Sequence, residues 1–426
     1  MHQKRGYKAT HKGISGKTKI ITHMEHQEAA LEGLKILDFS HVYQGPVGTQ
    51  ILADYGADVI KVERPGVGDW SRSWGPFVKG VSLPFANLNR NKRSAAINLK
   101  SPEGKVFAHR LVEGADVLVH NFRKGVMEKN GLGYEEVKRI NPSIVYAWSS
   151  GWGDSGPYAD SGRAGHDMMA RAEAGWFVDM GEGKAPIPGG VSIDYCAGLN
   201  LMNAIMMALL RREKTGAGQF VSTDLLSVAF HAHSWEGAIE LNAEKIDVPA
   251  AVGGTEAAIL KAFLTADGAI ELSPVFSDNA LRDISVAMEL GDLSLDSRFE
   301  TEALQIENSG ELNGLLAERF LAKTTAVWLE ELESAGVLCA RVNSFAEARK
   351  DPQIKANRMV LEMEHKRAGK LKLLGVPVRL HDTPMKLRYA PPDLGEHSRE
   401  IAEELGYDEA EISKLFESGA LQCDND

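Results

Sequence analysis

Two aspartates and a histidine stand where they could do chemistry: Asp167 in the run Gly165-His166-Asp167, and Asp194 in Val191-Ser192-Ile193-Asp194-Tyr195-Cys196-Ala197-Gly198. A carboxylate in a cleft can attack a carbonyl carbon, and with a histidine beside it can move protons. The structural reading of Asp194 is the N-cap of the apolar stretch that follows, since an aspartate there accepts the first free N–H groups of a helix. A catalytic carboxylate is the other reading, and spacing does not choose between them. His166 reads by default as a buried, satisfied histidine. His231-Ala232-His233 lacks the further ligands of a metal site, and Ser149-Ser150-Gly151 is not a nucleophile elbow.

Binding residues are sparser. The turn from His41 to Gly48 lacks GxGxxG, and Pro46 removes an N–H that a pyrophosphate would use, which argues against a nicotinamide cofactor. Glu63 is placed to hold a ribose, but Arg64 follows it and suits a phosphate. The run Asn89-Arg90-Asn91-Lys92-Arg93-Ser94 reads first as a solvated charged face and second as an anion site.

The elements that must position these groups alternate strand and helix. Leu34 to Phe39 reads as a buried strand, Val47 to Tyr55 as a helix, and Asp58 to Val62 as a second strand. The pattern recurs with a strand Ala95 to Leu99, an N-cap and first helical residue at Ser101-Pro102, a helix to Val112, and a strand Asp116 to His120. A helix from Tyr134 to Ile140 and a strand Ile144 to Trp148 complete about five parallel strands of an open, Rossmann-like α/β sheet, with ligands expected beyond their carboxyl ends. The run Leu199 to Leu210 is apolar on nearly every face and predicts a helix buried all round. Later segments predict a hairpin, Ala258 to Leu264 and Ala269 to Leu272, with helices near 277–290, 310–321 and 325–334, as in a smaller α+β domain.

We therefore expect a disordered N-terminal extension over 1–30, with translation starting at Met24, and a large α/β domain over 31–225 completed by 385–426. Residues 226–250 are expected as a linker, 251–345 as the small domain and 346–384 as a return linker. A net charge of −11 opposes nucleic-acid binding, since Lys and Arg are outnumbered 48 to 59, so an anionic ligand must meet a local basic site. Three cysteines without CxxC spacing predict a reducing cytoplasm, with neither disulfides nor a zinc site. No run of about 18 apolar residues predicts a membrane span. Trp70, Trp74, Trp148, Trp152 and Trp176 either line a ligand pocket or fill the core.

Seven stretches carry a family resemblance: LKILDFSHVYQGPVGTQILADYGADVIKVERPGVGD, NRNKRSAAINLKSPEG, ADVLVHNFRKGVMEKNGLGYE, INPSIVYAWSSGWG, KTGAGQ, DPQIKANRM and PPDLGEHS. In this order, from Leu31 onward, the chain resembles the class III CoA transferases, the family of formyl-CoA transferase and carnitine CoA transferase. The resemblance implies an interlocked homodimer acting on an acyl-CoA and a free carboxylic acid, with no cofactor beyond coenzyme A as part of the substrate. It places the family's nucleophile, in a D-x-x-x-G element, at Asp194 with Gly198. It puts coenzyme A against Val42, Tyr43 and Gln44, Arg64, the strand Ile97-Asn98-Leu99-Lys100, the loop Asn121-Phe122-Arg123, and Lys129, with residues from Ala164 to Asp167 closing the site. The glycine-rich loop that covers the site in some transferases is represented only by Gly253-Gly254. The same superfamily includes α-methylacyl-CoA racemases, in which a histidine and an aspartate exchange the α proton, and His166 with Asp194 resembles that pair. The NRNKRS and FSHVYQGP stretches resemble the transferase branch more closely.

Overall fold

The computed structural model describes residues 28–178, 180–245, 255–274 and 277–423. Its first unit is β1 (Lys35–Asp38), α1 (Gln44–Asp54), β2 (Asp58–Glu63) and β3 (Lys92–Ile97). Then come α2 (Pro102–Glu113), whose N-cap Ser101 accepts the Gly104 N–H, β4 (Val117–His120) and β5 (Val145–Ser150). Next are α3 (Asp167–Glu173), α4 (Ile193–Thr215) and β6 (Gln219–Asp224). The strands run in the order β6-β5-β4-β1-β2-β3, all parallel, and Leu421–Gln422 adds antiparallel to β3. The expected Rossmann-like parallel sheet is present, enlarged by β6 and by the C-terminal strand. Strand order reverses between β1 and β4, so their carboxyl ends splay apart and open a crevice there.

Neither expected reading of residues 89–94 holds: all six are buried, because β3 begins at Lys92 and not at Ala95. Each cation has an anion. Lys92 donates to Asp38 at 2.8 Å, Arg90 pairs with Asp54 at 2.7 Å, and Arg93 joins Asp58 at 2.7 Å to Glu400 and Glu404 near the C-terminus. In register, Asp38 lies opposite Lys61, which turns to a buried pair with Asp69 at 2.9 Å. A strand tolerates such charges only when every one is paired and hydrogen-bonded.

The apolar helix is longer than expected and is not buried all round. α4 buries one stripe, Ile193, Ala197, Gly198, Leu201, Ile205, Ala208 and Leu209, against α1, β5 and β6. Met207 and Leu210 are 65% and 63% exposed, so apolar character on that face does not mean burial within the chain. By length and composition α4 could cross a membrane; here its stripe is part of the sheet's core.

A second core gathers Phe263, Ile270, Leu272, Phe320 and Trp328 around a three-stranded antiparallel sheet of Ala262–Leu264, Ala269–Ser273 and Leu338–Arg341. Both segments expected as linkers carry structure. Helices Leu225–His231 and Ser234–Glu240 lie in the first, and the hairpin Val360–His365 with Gly369–Leu374 lies in the second, its Leu371 and Leu373 packed on Val81 and Ala86. The extension up to residue 27 and Gly253-Gly254 lie outside the described residues.

Candidate active site

A cavity of about 530 Å³ opens at the carboxyl ends of the central strands. Its wall includes Val42, Tyr43, Gln44, Arg64, Ile97, Asn98, Leu99, Lys100, Asn121, Phe122 and Arg123, and also His166, Asp167 and Asp194. Two expected residues are not in that wall: Lys129, one helical turn beyond Val126, and Ala164, whose carbonyl instead accepts the Trp152 indole N–H at 3.1 Å. His41, Lys124 and Arg163 join the wall without having been expected. His41 packs beside Phe122 with ring centroids 5.2 Å apart and beside Trp70 at 6.4 Å, an aromatic face suited to a flat ligand. Of the five tryptophans weighed above, Trp70, Trp148 and Trp152 line the cavity, Trp176 stacks on His233 outside it, and Trp74 is exposed, neither in the wall nor in the core.

Charge is arranged along the wall. Arg64, Lys100 and Arg123 are exposed and have no carboxylate partner among the described residues. They answer the requirement for a local basic site in an acidic chain. Glu63 cannot hold a ribose: its two oxygens take Arg72 at 2.7 and 2.6 Å, Ser94 at 2.7 Å and the Asp69 N–H at 2.9 Å.

Asp194 is not the cap of its helix. Ser192 is, accepting the Tyr195 N–H at 3.4 Å, which leaves Asp194 in the first turn with its carboxylate toward the cavity. That carboxylate has no hydrogen-bond partner among the described residues. Asp167, at the start of α3, accepts the Asp194 N–H on one oxygen at 2.9 Å and Arg171 on the other at 2.6 Å. Burial, and then the Asp167 charge, push the Asp194 carboxyl up to about 7, with Arg171 opposing. Two carboxylates thus have different tasks: one is hydrogen-bonded on both oxygens, the other is free and costly to ionise. His166 is exposed and caps α3, its Nδ1 accepting the Met168 N–H at 3.3 Å, which is not the buried state expected of it.

Gly198 explains the glycine of D-x-x-x-G. A Cβ there would run into Val47 and come within 2.5 Å of the Gln44 carbonyl oxygen, and one on Gly48 would lie 2.8 Å from the Gly198 carbonyl oxygen. The two helices touch through their backbones, and Asp194, one turn ahead, is thereby set beside the turn that starts α1. Gly198→Ala is expected to cost about 1–3 kcal/mol of stability by overpacking, measured by urea unfolding; an unchanged midpoint would show that the helices can part freely.

A family model described as CoA-transferase family III matches residues 31–398. The chain belongs to that family. As a family III CoA-transferase it is similar to the succinyl-CoA:glutarate CoA-transferase of Mus musculus, 37% identical over 92% of this chain and 90% of the relative. The succinate–glutarate CoA-transferase of Agrobacterium fabrum is 31% identical over 90% of this chain and 98% of its own length. A crystal structure of a CAIB/BAIF family protein from Brucella suis superposes with a TM-score of 0.75 at 33% identity, covering 89% of this chain and all of that one. This CoA-transferase therefore shares the fold of its solved relative and matches the curated ones over nine-tenths or more of their length.

Proposed function

We propose that this enzyme moves coenzyme A from an acyl-CoA to a free carboxylic acid through Asp194. The observation that carries this reading is the unengaged Asp194 carboxylate in the wall of the cleft, raised toward neutrality while Asp167 holds its backbone. The carboxylate attacks the thioester carbonyl, forming an Asp–O–acyl bond and releasing CoA thiolate. The thiolate then attacks the aspartyl carbonyl of this mixed anhydride, releasing the donor acid and leaving an aspartyl-CoA thioester. The acceptor carboxylate attacks that thioester to give a new anhydride, and CoA thiolate returns to the acyl carbon, restoring Asp194. Acyl activation is conserved throughout, so the sequence as written balances without a metal or redox group.

Arg64, Lys100 and Arg123 would neutralise the phosphates of coenzyme A at the mouth, and the 41–44 turn would flank its chain. The relatives' names put short dicarboxylic acids first among candidate substrates. The apolar side chains left bare on successive helices, Met207, Leu210, Phe230 and Trp235, with Leu241 just beyond the last, support a homodimer that covers them. A cytoplasmic site of action is consistent with the three free cysteines.

The second reading, proton exchange at the α carbon, has one supporting observation: His166 and Asp194 share the cavity. Incubation with a panel of acyl-CoAs, with and without free acids in deuterated water, separates the two. Transfer predicts acid-dependent CoA exchange; α-deuterium uptake that needs no acid and proceeds without CoA exchange would sink it. Hydroxylamine trapping followed by peptide mass is expected to mark Asp194, and a mark on Asp167 would refute the assignment.

A further inference from the structure

The turn between β1 and α1 is shaped by side chains. Five consecutive main-chain polar groups are held in this way. The Ser40 N–H donates to Asp38 at 2.9 Å, and the Ser40 carbonyl accepts from Lys61 Nζ at 2.8 Å. The His41 N–H and carbonyl both pair with the Asn121 amide at 2.8 Å, so the Asn121 side chain is committed to the turn. The Val42 N–H donates to Asp69, lying 3.1 Å from each carboxylate oxygen.

Val42 needs this hold. Its φ of +71° is a left-handed conformation that a β-branched residue enters only under constraint. Asp69 is fully buried, paired with Lys61 at 2.9 Å, and braced by the Ser71 N–H at 2.8 Å and the Ser71 hydroxyl at 2.7 Å. β1 ends at Asp38 and α1 starts at Gln44, so neither ladder imposes the conformation. Its consequence is local: Val42 and Tyr43 become wall of the cleft.

We infer that Asp69 is a positioning residue for coenzyme A: its buried carboxylate fixes the left-handed Val42, so that the cleft wall is formed before the ligand arrives. This rests on reading the cleft as the coenzyme A site. A preformed wall spares the ligand the cost of ordering it, so loss of Asp69 is felt in affinity and little in the rate of the saturated enzyme.

The test separates the oxygen from the charge. Lys61→Met with Asp69→Asn neutralises the buried pair but keeps an acceptor for the Val42 N–H, whereas Lys61→Met with Asp69→Leu removes it too. Coenzyme A binding by calorimetry is expected within about threefold of the unaltered protein for the asparagine pair, and at least about tenfold weaker for the leucine pair. In the leucine pair the transfer rate at saturating acyl-CoA should stay close to that of the unaltered protein. Equal affinities in the two folded variants overturn the inference, as does a fall of that rate in step with affinity. If the leucine variant does not fold, Lys61→Met with Asp69→Ala takes its place, since it and the asparagine pair both lack the Lys61 bond to the Ser40 carbonyl: weaker binding by the alanine pair than by the asparagine pair supports the inference, and equal binding overturns it. An unaltered protein that does not bind coenzyme A brings down the reading of the cleft, and this inference with it.

Discussion

Asp194→Asn lowers CoA transfer by at least about a thousandfold while coenzyme A binding survives, because removing a nucleophile removes the bond-forming atom and leaves the cleft intact. The substitution also abolishes a stability trend. The folded protein holds the Asp194 proton up to about pH 7, whereas an unfolded chain releases it near the ordinary aspartate value of 3.8. Below that lower value the wild-type protein has this contribution in full. It then loses stability as pH rises toward 7, since the folded state binds the extra proton. The asparagine variant has no proton to lose. Its stability relative to wild type therefore grows between the two values and levels off above neutrality, by up to about 4 kcal/mol before discounting for water that reaches the carboxylate. Urea unfolding at pH 5 and pH 8 measures it. A variant equally stable relative to wild type at both pH values would mean that Asp194 is not strained by ionisation.

Asp167→Asn is expected to move the pH profile of the first half-reaction. The acylation rate of wild-type enzyme should rise through a midpoint near 7 as Asp194 becomes a carboxylate. Asparagine can still accept the Asp194 N–H, but the neighbouring negative charge is gone and Arg171 loses its ion partner. Burial alone then raises Asp194, with Arg171 acting against it, so the midpoint should fall by about one unit or more. At high pH the rate should drop by about ten- to a hundredfold, because the less basic carboxylate is a weaker nucleophile and Arg171 is free to draw it from its place. Single-turnover acylation followed across pH gives both numbers. An unmoved midpoint would remove Asp167 from the electrostatics of the site.

Much of the fold was legible because local signals and the sheet agree. Ser101-Pro102 opens a helix by capping chemistry, the helix 134–140 appears where expected, and the β-α-β grammar yields the parallel sheet. β6 was missed because its residues, Gln219 to Asp224, alternate without a strong apolar run. Residues 89–94 misled for a physical reason: three cations in six residues look solvated unless their anions are known, and those anions come from positions as far apart as Asp38 and Glu404. His166 misled similarly, since a histidine cap exposed to a cleft has the same local sequence as a buried one.

The sequence by itself determined the chemistry available, an aspartate followed after three residues by glycine, and the α/β order that brings loops to one edge of a sheet. Family resemblance named Asp194. Only the tertiary structure assigned the tasks. It made Ser192 the cap and left Asp194 free, bound Asp167 on both oxygens, committed Asn121 to the His41 backbone, and brought Asp69 beneath Val42. Those assignments depend on burial and on partners distant in the chain. Both act through the dielectric and hydrogen bonds of a closed interior, which no local run of residues contains.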